Sequence, residues 1–99
     1  MTMTDEEYKA KGGLPLDQLT KDQNRIIEFM LRAAWKAGNF EVVSPERTKL
    51  LVQTAIDAGT DEAEAQKLAR HYDAATELFL SFPESQKASI RENAKAKLS

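Results

Sequence analysis

From Asp61 to Phe82 the chain repeats small and apolar side chains at steps of three and four residues: Ala65, Leu68, Ala69, Tyr72, Ala75, Thr76 and Phe79. That period belongs to one face of a helix; a half-buried strand alternates with period two. A helix of this length must bury its apolar face against other helices, so an all-α fold is expected. Thr60 is placed to cap the helix, and Asp61, Glu62 and Glu64 suit the positive end of its dipole. Pro83 stops or redirects it. Ala65, Ala69 and Ala75 leave room for a close neighbour, while Leu78, Leu80 and Phe82 widen the apolar face at the far end.

The rest of the chain supplies the neighbours. Thr20 with Gln23 forms a capping box, which predicts a helix over 20–37 ended by Gly38. At about 100° per residue, Ile26, Ile27, Met30, Leu31, Ala34, Trp35 and Ala37 span roughly 180° of this wheel. Phe29 and Ala33 widen the arc further. An ordinary surface helix needs a stripe only a little over 100° wide. Ser44-Pro45-Glu46 starts a second helix over 45–58, with Thr48, Leu51, Val52, Ala55 and Ile56 inward and Gly59 at its end. The central helix covers 61–82. A last helix over 84–98 shows only Ile90, Ala94 and Leu98 on one side, a thin stripe. Phe40, Val42 and Val43 lie in a connector too short for an isolated strand. The expected architecture is a compact bundle of about four helices.

Residues 1–13 are read as a flexible polar tail ending in Gly12-Gly13, and 14–99 as a single helical domain. A turn of helix around Asp5 to Lys9 would be marginal on its own. Leu14, Leu16 and Leu19 form an entry arm expected to fold back on the core. Ninety-nine residues bury one modest core. A net charge of -2 provides no field that would draw in nucleic acid or an anionic membrane. Zero cysteines exclude disulfides and thiolate metal sites, and fit a reducing cytoplasm. The N-terminus lacks the apolar core of a signal peptide, and no run is long enough to span a membrane.

No catalytic, cofactor or metal motif stands out. His71 has Lys67, Leu68, Ala74 and Ala75 at the helical spacings where a second ligand would sit, so it reads as a structural histidine. No glycine-flanked serine elbow, phosphate loop or calcium loop is present. Ala55, Gly59 and Leu68 echo the spacing of a helix-turn-helix. Its reading helix would begin Asp61-Glu62-Ala63-Glu64, however, and carboxylates repel phosphates.

These features point to a small protein-interaction or regulatory module, cytoplasmic and not enzymatic. An apolar helix face would be buried in a protein partner or in a second copy, and a homodimer is the expected way to cover two such wide faces. Phe29, Leu31, Arg32 and Trp35 on the first long helix, and Leu78, Phe79 and Phe82 at the end of the central one, are the expected partner-binding residues. Trp and Arg are favoured because they dominate interface hot spots. The alternative is nucleic-acid binding through the stripe Lys21, Arg25, Arg32 and Lys36 or through the cationic C-terminal helix.

Overall fold

The structure, a computed structural model, describes residues 2–98. Met1 and Ser99, the outer ends of the expected tail and domain, lie outside the described residues. Five α-helices follow one another: α1 (Asp5–Ala10), α2 (Lys21–Lys36), α3 (Pro45–Asp57), α4 (Glu62–Leu80) and α5 (Glu84–Leu98), with a single 3-10 turn at Leu16–Gln18. Among the described residues there is no strand, so the all-α bundle expected from periodicity is the observed fold.

Caps set the helix starts. The Thr20 hydroxyl accepts from Gln23 N–H at 3.0 Å, and the Gln23 carbonyl oxygen accepts from Thr20 N–H at 3.0 Å. Ser44 Oγ accepts from Arg47 N–H at 3.1 Å, with Pro45 in the first turn. The cap of α4 is Asp61 rather than Thr60: Asp61 Oδ1 accepts from Glu64 N–H at 2.8 Å. A carboxylate there satisfies an orphan donor and also meets the helix dipole. Gly38 and Gly59 close α2 and α3 with φ of 75° and 99°, the left-handed region that suits glycine.

The core lies where α2, α3 and α4 meet. Ile26, Met30 and Ala34 of α2 pack with Leu51 and Ala55 of α3 and with Ala65, Leu68, Ala69 and Tyr72 of α4. Alanines on all three helices keep the axes close. Two residues of α3 depart from the expected inward face. Ile56 is exposed, and Arg47 is completely buried. Arg47 sits one turn before Leu51 and two before Ala55, so helical geometry places it inside. Its guanidinium reaches Asp73 Oδ1 at 2.6 Å, Thr76 Oγ1 at 2.9 Å and the Phe40 carbonyl at 3.1 Å, and it lies over the Tyr72 ring.

The N-terminal segment, expected as a flexible tail, is folded along α4. Thr4 and Glu7 make a capping box for α1. Tyr8 is buried, Lys11 pairs with Glu77 at 3.3 Å, and Met3 N–H donates to Ser81 Oγ at 2.9 Å. A six-residue helix is marginal alone; the Tyr8 ring provides the tertiary anchor. Gly13 lies directly beneath that ring, where a Cβ would come within 2.5 Å of it. Gly13 therefore admits Tyr8, and Gly12, with φ of 104°, makes the turn beside Arg70, rather than the two acting as a free hinge. The entry arm splits: Leu14 and Leu19 are half-buried, and Leu16 remains 66% exposed.

α5 lies against the α2–α3 connector through Arg91 and Glu41 and against α4 through Arg91 over the Phe79 ring. It has no fully buried residue. Lys87, Ile90, Arg91, Ala94 and Leu98 are half-buried and form its inner edge, the thin stripe expected from the sequence with two cations added. No helix among the described residues is long and apolar enough to cross a membrane.

Candidate functional site

The α2–α4 interface does not close completely. Asn24, Ile27 and Leu31 recur on α2 at helical spacing and form one wall of a cavity of about 290 Å³. His71, Ala75 and Phe79, one turn apart on α4, form the other wall. Leu19 of the entry arm and Ile90 of α5 stand at its rims, and Phe40 of the α2–α3 connector closes one end. The connector is held there by Arg47, whose Nη1 donates to the Phe40 carbonyl. Phe40 in turn packs edge-on between Trp35 (5.2 Å between ring centroids) and Phe79 (5.9 Å). Such pairs add about 0.5–1.5 kcal/mol beyond area burial.

Among the described residues, no charged side chain lines this cavity. Its polar features come from His71, Tyr72, Thr76 and Asn24. His71 is 2% exposed, and burial pushes its pKa below the ordinary 6.5. Leu14 N–H donates to His71 Nδ1 at 3.0 Å, so Nδ1 carries the lone pair and Nε2 the proton. The Tyr8 hydroxyl, 3.2 Å from Nδ1, donates to the Leu14 carbonyl at 2.8 Å. Burial raises the pKa of that phenol, and raises Tyr72 to about 12. His71 is thus a neutral imidazole held in one tautomer by backbone. Among the described residues, nothing hydrogen-bonds its Nε2.

The expected partner-binding residues do not form one surface. Leu31 and Phe79 line the cavity. Trp35 lies next to it, in a shallow depression with Glu41, Val42 and Arg91. Leu78 faces a separate depression beside Tyr8 and Lys9 of α1. Phe29 is 41% exposed beside Thr54 and Asp57 of α3, with Arg25 over its ring at 5.8 Å. Arg32 is exposed and pairs with Glu28 at 3.0 Å. Phe82 is half-buried in the α4–α5 turn. Sequence reasoning passed over Tyr8 and the Nε2 of His71. The signal available for Tyr8 was a lone aromatic within a capped turn and before two glycines.

Two of the four cations of the basic stripe are engaged, and among the described residues Lys21 and Lys36 make no ion pair. Arg25 pairs with Asp22 and Arg32 with Glu28. On α5, Arg91 is gripped by Glu41 (2.7 Å) and Glu84 (2.6 Å), and Lys97 lies 3.9 Å from Glu28. Among the described residues no cluster of three His, Asp or Glu side chains is arranged to hold a metal. The chain matches no family model, no curated protein and no solved structure.

Proposed function

We propose that the protein is a binding module whose α2–α4 groove receives an amphipathic helix from a protein partner in place of α5. The observation that carries this reading is the way α5 is held: no side chain fully buried, one aliphatic residue (Ile90) over the cavity, and Arg91 clasped by Glu41 and Glu84. A surface clasp of this kind, with Glu84 largely exposed, is screened by solvent and holds α5 weakly. A helix with a fuller apolar stripe gains more from the same groove, since each buried CH₂ is worth roughly 0.8 kcal/mol. Glu28 and Glu41 flank the groove, so the partner helix carries Lys or Arg at its edges. Leu31 and Phe79 would meet its apolar face, with Trp35 at one end.

A second copy is the alternative donor of that helix. Its α5 already fits the groove, and the turn at Pro83 is the natural hinge for exchange. The wide apolar faces that motivate a homodimer are covered within one chain in part, by the entry arm and Phe40. A cytoplasmic setting belongs to the same proposal, resting on the absence of cysteine. The role is binding, not catalysis.

The test is capture from native extract on the immobilised chain, followed by elution with a free peptide of residues 84–98. The peptide should release the partner. Leu31→Asp, checked for helicity by circular dichroism, should fail to capture it, while Phe29→Asp on the α3 side should capture it normally. A protein held equally by wild type and Leu31→Asp, and not released by the peptide, would sink the proposal. Light scattering at micromolar concentration separates the two donors: helix exchange between copies gives a species of twice the chain mass that returns to monomer when residues 84–98 are added as peptide.

A further inference from the structure

His71 Nε2–H makes no hydrogen bond among the described residues, although most polar groups around it are paired; the fully shielded atoms left without a partner are Arg47 Nε and Asn39 Oδ1. Arg47 reaches Asp73, Thr76 and a carbonyl; Thr76 donates to the Tyr72 carbonyl; Tyr8 donates to the Leu14 carbonyl. His71 is almost wholly buried, yet its Nδ1 is turned to the backbone of Leu14, which leaves the opposite corner of the ring at the cavity that His71 lines. An apolar pocket with a convergent polar group is the usual form of a small-molecule site.

We propose that this cavity binds a small, uncharged, largely apolar molecule bearing one carbonyl or hydroxyl oxygen, which accepts the His71 Nε2–H. Three observations fix that chemistry. The Leu14 N–H occupies the Nδ1 lone pair, so the imidazole presents a donor at Nε2 and does not gain a second proton without losing the backbone bond. Among the described residues, no charged side chain lines the cavity, and Arg47, the nearest buried cation on the wall formed by Thr76, is already paired with Asp73; a carboxylate or ammonium would enter uncompensated. The remaining walls, Ile27, Leu31, Ala75, Phe79 and Ile90, are hydrocarbon. Size follows from volume. An apolar cavity of about 150 Å³ holds benzene; this one, at about 290 Å³, suits a molecule on the order of ten non-hydrogen atoms. The molecule and the partner helix compete for the same walls, Leu31 and Phe79: the molecule needs α5 in place with Ile90 over the cavity, whereas the helix displaces it.

The chain has a single histidine, so its imidazole nitrogens give an isolated signal in long-range ¹⁵N–¹H spectra. The probes are 2-nonanone and n-decane, equal in non-hydrogen atoms and different only in the acceptor. In the wild type the ketone should shift the Nε2–H resonance while Nδ1 stays unprotonated, and its affinity relative to the alkane should exceed the ratio in a variant lacking the donor about tenfold. In His71→Asn the amide oxygen can still accept from Leu14 N–H, but no donor stands at the Nε2 position, and the ketone-to-alkane affinity ratio should fall about tenfold. Ala75→Leu fills the cavity away from the imidazole and should abolish both. The proposal is overturned if the ketone-to-alkane affinity ratio is the same in the wild type and in His71→Asn. It is also overturned if no ketone from 2-hexanone to 2-undecanone moves the His71 signal, for Nε2 is then served by water alone.

Discussion

Arg47 and Asp73, 26 residues apart, meet at 2.6 Å inside the α3–α4 interface, with the arginine side chain wholly shielded and the aspartate nearly so. Asp73 is held from its other oxygen by Thr48 Oγ1 at 2.7 Å. Burying such a pair costs desolvation, so its net contribution is small, but removing one member strands the other. Arg47→Ala is therefore expected to cost about 3–5 kcal/mol in urea unfolding, a large part of the stability of a domain this size. Arg47→Met keeps much of the volume. Combined with Asp73→Leu, it should recover most of that loss, since an apolar pair of matched volume needs no partner. A double variant no more stable than Arg47→Ala would show that the guanidinium matters instead through the Phe40 carbonyl and the placement of the connector.

Acidification should weaken the fold through His71. Its folded pKa lies below the ordinary 6.5 because burial disfavours the imidazolium. Between the two values the unfolded chain binds a proton that the folded chain does not, so stability rises with pH in that window. It is complete above pH 6.5 and is lost as pH falls toward the folded value. Thermal unfolding midpoints from pH 8 to pH 5 should therefore decline below about 6.5, and the decline should be absent in His71→Asn. An unchanged slope in that variant would assign the effect to carboxylates.

The frame of the molecule was legible in the sequence because it is written in local chemistry. The Thr20–Gln23 box, Ser44-Pro45 and the glycines at 38 and 59 mark helix ends to within a residue or two, and the three-and-four spacing from Ala65 to Phe79 identifies the face of α4 that meets α2. The site was not legible, for a physical reason. Whether Leu31 and Phe79 close a core or line a cavity depends on the volume left between helices, which no periodicity records. Arg47 shows the same limit: its charge argues for the surface, and only the positions of Asp73 and Thr76 in space make its burial tolerable. The partner-binding set assumed that a wide apolar arc must look outward. Tyr8, Leu19 and Phe40, from segments read as tail, arm and loop, cover part of it instead, and what they leave is the cavity beside His71.

The N-terminal segment offers a steric test. A methyl group at Gly13 would collide with the Tyr8 ring, whereas at Gly38 it would meet open space and only the strain of a positive φ. Gly13→Ala should therefore expel Tyr8 and cost about 1–3 kcal/mol, with hydrogen exchange accelerated across residues 4–11 and at Leu14. Gly38→Ala should cost about 1–2 kcal/mol and leave exchange at α1 unchanged. Equal protection of α1 in both variants would mean that Tyr8 does not anchor it.

Arg91 provides the last test, of how α5 is fastened. The guanidinium accounts for the largest part of the lowered pKa at both Glu41 and Glu84, through hydrogen bonds to each carboxylate, and its own pKa rises in return. The carboxylates stay ionised below the ordinary 4.5, so the clasp is intact at neutral pH and is lost only as pH falls through their depressed values. Arg91→Ala should release α5 at pH 7 as strong acid does in the wild type: exchange across residues 84–98 rises several-fold while α2, α3 and α4 keep their protection. The global unfolding midpoint should move little, since solvent-screened pairs carry little of the stability. High salt should loosen α5 in the wild type and have less effect in the variant, because screening acts on the same charges. If α5 instead stays protected in Arg91→Ala, the thin Ile90–Ala94–Leu98 stripe is enough to hold it, and a competing helix would have to displace that hydrocarbon contact rather than an ion pair.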